Sequence, residues 1–241
     1  MPLAVLGANV TVFDVSEENK RYALELAECA GVSIKYEVGD FNNVDFERFG
    51  KSFDIAYLEG GIFHYFYDID LFFHNLYCII KPGGKLILSD FHPFRKIDAT
   101  GYAGKFIQVI DGDYFDSRVF NGDVAYKSYF PQDEQQLFPD CSLRYYTLSE
   151  IINAAINTGF NIREFNEHPN WKNKKIPGEF TIIGLKWDYY RLKMGLSNGE
   201  INYYGIPINP LFLFAVYFLI VRYYLIGGVT MYEDVLNFFT K

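Results

Sequence analysis

Four acidic residues in the first ninety positions each stand where a short apolar run ends: Asp14, Asp40, Glu59 and Asp90. In open α/β sheets, ligands bind beyond the carboxyl ends of the strands, and an acid there can accept two hydrogen bonds from a ribose diol. Asp14 is the candidate for that role, with a helix N-terminal acid as its alternative. Asp40 and Phe41 could bracket an adenine, or Asp40 could be a solvated loop acid.

Two histidines follow strand ends on the same predicted rim, His64 after Glu59 and His92 after Asp90. Imidazole titrates near neutral pH, so either side chain could act as a general base or orient a substrate. A packing or capping role is the alternative for both. No metal-ligand spacing and no Gly-x-Ser-x-Gly nucleophile motif is found.

The elements that must position these residues alternate along the chain. Apolar, β-branched runs predict strands at residues 9–15, 33–38, 52–58 and 85–89, and capped helical patterns lie at 16–30 and 70–80. This alternation predicts crossover units and a mostly parallel sheet. A turn is predicted at 81–84, where the sequence reads Lys-Pro-Gly-Gly.

The second half is less regular. Residues 93–140 are predicted to be an insertion of loops and short strands, and a capping box predicts a helix over 147–158. Two further strands, at 160–167 and 179–186, suit a late antiparallel pair.

The order of the motifs resembles the class I S-adenosylmethionine-dependent methyltransferases. The matching stretches read VTVFDVS at 10–16, VGDF at 38–41, FDIAYLEGG at 53–61 and IKPGGKLIL at 80–88. The resemblance implies a Rossmann-like, doubly wound α/β domain over 1–186, with 93–140 as the acceptor-binding region. It implies S-adenosylmethionine as the cofactor.

The same resemblance assigns individual residues to parts of the cofactor. Asp14 with Val15 would hold the ribose, and Asp40 with Phe41 the adenine. Glu59 and Gly60 would line the methionine end, while His64 and His92 are the candidate catalytic residues.

The chain departs from the family pattern at its start. The family holds the methionine portion with a Gly-rich loop about twenty residues before the ribose-binding acid, and Asp14 is only thirteen positions from Met1. We therefore expect the first, central strand to be missing from a truncated chain. Each of the two strands that flank it would lose its hydrogen-bond partner on that side. We expect such a chain to bind the cofactor weakly or not at all.

A hydrophobic, aromatic-rich tail occupies residues 187–241, and eleven apolar residues run unbroken over 211–221. A membrane helix at about 208–227 and a buried helix are both compatible with this pattern, because the run falls short of roughly 20 residues. No basic segment followed by an apolar run opens the chain. We expect a cytoplasmic location, with membrane association through the tail as the alternative.

Composition limits the other functions. The formal net charge of −8 makes a general nucleic-acid binder a poor prediction, because phosphate affinity comes mainly from Lys and Arg. The three scattered cysteines fit a reducing compartment. We predict S-adenosylmethionine-dependent methyl transfer to a small-molecule acceptor. The alternatives are a non-catalytic remnant or membrane-tethered interaction protein, and an NAD(P)-dependent oxidoreductase.

Overall fold

Helices and strands alternate through the first ninety residues, as the sequence patterns predict. A computed structural model describes residues 1–97, 113–123, 127, 130–138, 140–171, 173–187, 201–203 and 206–208. The helices are α1 (Pro2–Val5), α2 (Glu17–Cys29), α3 (Phe46–Phe49), α4 (Ile69–Ile79), α5 (Gln132–Gln135) and α6 (Leu148–Thr158). The strands are β1 (Thr11–Asp14), β2 (Lys35–Val38), β3 (Phe53–Glu59), β4 (Ile80–Phe91), β5 (Val119–Asp123), β6 (Asp140–Arg144), β7 (Phe160–Pro169), β8 (Pro177–Lys186), β9 (Ile201–Tyr203) and β10 (Ile206–Ile208).

Local capping explains where two of the main helices begin and end. The Ser16 side chain accepts a hydrogen bond from the backbone N–H of Asn19, so α2 starts directly after it. Thr147 and Glu150 form a capping box at the start of α6. Gly159 ends α6 in the left-handed conformation, with φ of 105°, which glycine adopts without a Cβ penalty.

Six of the strands between Thr11 and Lys186 form two principal sheets. β1 and β2 pair in parallel, and a second sheet has the order β3-β4-β8-β7. Within the second sheet β3 and β4 are parallel, whereas β8 is antiparallel to both β4 and β7. The predicted α/β fold with a late antiparallel strand pair is therefore confirmed. A separate antiparallel pair joins β5 to β6.

No ladder joins β1 to β3 among the described residues, so each of these strands has one unpaired edge. Aromatic rings connect the two sheets instead. The ring of Phe13 on β1 packs edge-to-face against Phe53, the first residue of β3, with centroids 5.9 Å apart.

The core lies on the face of the second sheet that α4 and α6 cover. Alternate residues of the two central strands point into it and are almost fully buried, among them Leu86 and Leu88 of β4 and Phe180 and Ile182 of β8. This period-two burial fixes the register of β4 against β8, because a one-residue slip would expose every apolar side chain.

One boundary differs from the prediction. β4 begins at Ile80, five residues before the predicted strand, and runs through the predicted Lys-Pro-Gly-Gly turn. Gly83 within it has a φ of 79°, and the ladder to β3 is irregular between Phe53 and Ile55. The turn residues therefore act as an irregularity within a longer strand.

The chain divides into two compact units, Met1–Trp187 and Asp188–Lys241. In the second unit the structure describes only the antiparallel pair β9–β10. Most of the predicted membrane helix at 208–227 lies outside the described residues. Within the described ranges, every helix is too short or too polar to cross a membrane.

Candidate functional site

Asp14 is the last residue of β1 and faces the start of α2. Its carboxylate accepts hydrogen bonds from the backbone N–H of Ser16 at 2.8 Å and from the side-chain amide of Asn19 at 3.2 Å. Burial, together with the negative charge of Asp14, raises the pKa of Tyr36 to about 12. The carboxylate is thus held rigidly at the strand end and keeps lone pairs for further donors. The next residue, Val15, is 72% exposed.

Asp40 and Phe41 follow the neighbouring strand, β2, at the same carboxyl edge. Asp40 caps the short 3-10 helix Phe41–Asn43 through a 2.9 Å bond from the N–H of Asn42. The ring of Phe41 is partly buried and packs edge-to-face on Phe13 and Phe72. Phe41 therefore lies at the carboxyl edge of β2 and also packs against the hydrophobic core.

Glu59 and Gly60 end β3. The exposed carboxylate of Glu59 accepts a 2.6 Å hydrogen bond from the hydroxyl of Tyr57, and this bond is the main cause that raises the pKa of Tyr57. Gly60 has a φ of 75°, and no atom lies within 4 Å of where a Cβ would be. The backbone here is open to close approach by a ligand.

Asp90 lies at the matching end of β4 but points inward. Its side chain is almost fully buried and accepts hydrogen bonds from the N–H groups of Gly61, Ile62 and Phe63 at 2.8, 2.9 and 3.1 Å. Asp90 therefore anchors the turn after β3, whereas Glu59 faces outward on the same edge.

His64 follows this turn in the 3-10 helix Phe63–Tyr65 and lines a small cavity of about 30 Å³ that opens to solvent. The other lining residues are Phe63, Asp90, Phe91, Pro93, Lys96, Arg144, Tyr145, Tyr146 and Ile151. The ring of His64 lies 4.2 Å from that of Tyr65 and 5.8 Å from that of Tyr145, centroid to centroid. Half of the ten residues in the cavity wall thus have aromatic rings.

The two basic side chains of this wall, Lys96 and Arg144, form hydrogen bonds or an ion pair with other groups of the protein. The ammonium of Lys96 donates to the backbone carbonyls of Tyr114, Asp116 and Tyr145 at 3.0–3.2 Å. Arg144 pairs with Glu150 at 3.1 Å. Both basic side chains of the cavity wall therefore already have partners within the protein.

His92 does not line that cavity, although its chain neighbours Phe91 and Pro93 do. It is 4% exposed, and its Nδ1 accepts a 3.0 Å hydrogen bond from the N–H of Phe94, which starts the 3-10 helix Pro93–Lys96. Its Nε2 lies 2.9 Å from Glu167. Burial lowers the pKa of His92, and the charge of Glu167 offsets part of that effect.

The structure places the four predicted acids in two pairs and places His64 in the wall of the cavity. Asp14 and Asp40 share the carboxyl edge of β1–β2, and Glu59 and Asp90 share that of β3–β4. Sequence reasoning did not single out Lys96, although it lies in the predicted acceptor-binding region, and it missed Arg144 and Tyr145, which reach the cavity from a later segment. Within the described part of the chain, no three His, Cys, Asp or Glu side chains cluster closely enough to hold a metal ion.

Comparisons with known proteins identify a domain and a fold that this chain resembles. Residues 1–88 match a family model described as a methyltransferase domain. An S-adenosylmethionine-dependent methyltransferase from Clostridium acetobutylicum ATCC 824 superposes with a TM-score of 0.52 at 16% identity, covering 77% of this chain and 78% of that one. A protein from Methanosarcina mazei, titled among SAM-dependent methyltransferases, gives 0.50 at 21% identity, covering 77% and 85%. The search of curated proteins gave no significant match.

The residues present fit the cofactor that this family uses. The carboxylate of Asp14 stands fixed at a strand end, as a ribose acceptor requires, and the backbone at Gly60 leaves open space beside Glu59. Residues 1–88 thus carry a methyltransferase domain, whose cofactor is S-adenosylmethionine, and the solved structures share its fold.

Proposed function

We propose that this protein transfers a methyl group from S-adenosylmethionine to a small-molecule acceptor that binds in the cavity beside His64. One observation carries the proposal. The Gly60–Gly61 turn, assigned to the methionine end of the cofactor, adjoins the cavity: a Cβ added to Gly61 would lie 3.1 Å from the His64 ring and 2.9 Å from Phe91. A methyl group presented at this turn would therefore meet an acceptor in the cavity.

Six residues would hold the cofactor in this proposal. Asp14 accepts from the ribose hydroxyls, with Val15 beside it. Asp40 accepts from the adenine amino group, and the ring of Phe41 contacts the adenine plane. Glu59 and the open backbone of Gly60 line the methionine end. When bound, S-adenosylmethionine supplies an electrophilic methyl group attached to a positively charged sulfur.

The protein's own part in the reaction is positioning and proton transfer. The aromatic cavity wall excludes water and orients the acceptor, which accounts for much of the rate of an in-line displacement. His64 takes up the proton that an O–H or N–H acceptor releases.

Because Lys96 and Arg144 are already bound by protein groups, the cavity favours an uncharged acceptor. His92, buried against Glu167, supports the strand end and is the weaker candidate for a base.

The region 93–140 is the acceptor-binding part of the domain in this proposal. Pro93 and Lys96, at its start, line the cavity. The tail at 187–241 would at most place the enzyme near a membrane.

A direct test measures cofactor binding by calorimetry with S-adenosylhomocysteine and S-adenosylmethionine, and with NADH and NADPH for comparison. Transfer of a labelled methyl group to a panel of small phenols, amines and carboxylic acids would then identify the acceptor class. His64→Gln should abolish most of the transfer and leave cofactor affinity intact. Binding of a nicotinamide cofactor in place of S-adenosylhomocysteine would overturn the proposal.

A second candidate is a non-catalytic protein that retains the fold. The unpaired edges of β1 and β3 favour it, since strands that flank a cofactor site normally share a continuous ladder. This candidate predicts weak cofactor binding and no methyl transfer to any acceptor in the panel.

A further inference from the structure

The carboxylate of Asp90 collects the backbone N–H groups of one turn. Gly61, Ile62 and Phe63 donate to it in succession, and Phe91 donates from its own strand at 2.6 Å. A carboxylate with four such donors is strongly bound, because charge-assisted hydrogen bonds are roughly twice as strong as neutral ones.

The turn that Asp90 holds has an unusual backbone. Gly60 and Gly61 have φ values of 75° and 76°, so two successive residues adopt the left-handed conformation. This conformation turns the N–H groups of Gly61, Ile62 and Phe63 toward one point, where an acceptor with several lone pairs satisfies them. Without that acceptor the three backbone N–H groups would lack hydrogen-bond partners. The turn would then no longer be held in this conformation.

The turn also sets the position of two groups that matter for the proposed reaction. Gly60, on its outer side, presents open backbone toward the methionine end of the cofactor, and Gly61 packs against the His64 ring on its inner side. Both positions depend on the hydrogen bonds that end at Asp90.

We propose that Asp90 is the positioning residue for the methionine end of the cofactor, acting through the Gly60–Gly61 turn. This inference rests on the proposed function. Asp90 lines the cavity, but its carboxylate is buried and bound to backbone amides, so in this proposal it acts on the cofactor through the turn and not by direct contact.

The test compares two ligands that differ only at the methionine end. S-adenosylhomocysteine carries the amino-acid portion, and 5′-methylthioadenosine lacks it. In Asp90→Asn, we expect the affinity for S-adenosylhomocysteine to fall about tenfold and that for methylthioadenosine to fall less than about threefold. Ser89→Ala, at the neighbouring position of the same strand, should change neither. A general loss of structure would instead lower both affinities together.

Hydrogen exchange of the free protein provides a second readout. Amide protection should be lost at residues 61–63 in Asp90→Asn and be retained in α4 and α6. An unchanged ratio of the two affinities, or unchanged protection at 61–63, overturns the role of Asp90 while leaving the proposed function standing. A wild-type chain that binds neither ligand overturns both.

Discussion

Nε2 of His92 lies 2.9 Å from Oε1 of Glu167, although the two residues are separated by a whole strand of the sheet. His92 follows β4, Glu167 lies on β7, and β8 runs between them. Because Nδ1 of His92 accepts from the N–H of Phe94, the neutral ring carries its proton on Nε2, which lies close to Glu167 without the geometry of a hydrogen bond. The pair therefore connects the end of β4 to the edge strand of the sheet.

This relationship predicts a pH dependence of stability. Burial lowers the pKa of His92 below its ordinary 6.5, so the unfolded chain binds this proton more readily than the folded chain. Stability should fall as the pH drops below about 6.5. In Glu167→Gln the attraction to the protonated ring is lost, so the pKa of His92 should fall further and the loss of stability between pH 6.5 and 5 should become larger.

Urea unfolding at several pH values, with an NMR titration of the imidazole, measures both quantities. Glu164→Gln is the matched control, since Glu164 is exposed on the same strand and is not paired with His92. A His92 pKa that rises in Glu167→Gln would contradict the assignment.

Two adjacent glycines give a second prediction. Gly60→Ala places a methyl group in open space and should cost only the left-handed backbone penalty, about 1–2 kcal/mol. Gly61→Ala pays the same penalty and also presses on Phe91 and His64. Its free energy of unfolding should therefore fall further than that of Gly60→Ala. Thermal or urea unfolding of the two variants checks this, and equal losses would show that the rings move aside without cost.

Local features of the fold could be predicted from the sequence because their causes are local. Ser16 and the Thr147–Glu150 capping box each act within one turn of chain, and both mark helix starts as predicted. Strand alternation likewise identified the parallel sheet with its late antiparallel pair.

The direction and partners of individual side chains at the site could not be predicted. Asp90 has the same sequence setting as Glu59, yet it turns inward because three amides of a turn 27–29 residues earlier lie within its reach. The pairing of His92 with Glu167 depends on the register of β7 and β8 across 75 residues of chain. Such contacts are properties of the assembled sheet.

Lys96 provides a third prediction, on stability. Its ammonium is buried and donates to the carbonyls of Tyr114, Asp116 and Tyr145, and burial lowers its pKa. Lys96→Met keeps the apolar length but leaves these acceptors without a donor, so the free energy of unfolding should fall by about 2–3 kcal/mol. Lys85→Met, at an exposed position of β4, should change stability by less than about 0.5 kcal/mol. Urea unfolding distinguishes the two, and equal effects would contradict the buried role.

Phe41 allows the core and the adenine site to be separated. Its ring packs on Phe13 and Phe72 at centroid distances of 5.7 and 5.9 Å, and it follows the acid assigned to the adenine. Phe41→Leu retains most of the apolar volume, so it should cost less than about 1.5 kcal/mol of stability. Loss of the aromatic face should nevertheless weaken S-adenosylhomocysteine binding at least about fivefold, because stacking on a base is worth about 1–3 kcal/mol. Phe49→Leu is the matched control, since Phe49 contacts Phe13 at 5.0 Å in the same cluster and has no assigned contact with the cofactor. If both variants bind the ligand as the wild type does, Phe41 serves the core alone, and the adenine plane must rest on another side chain.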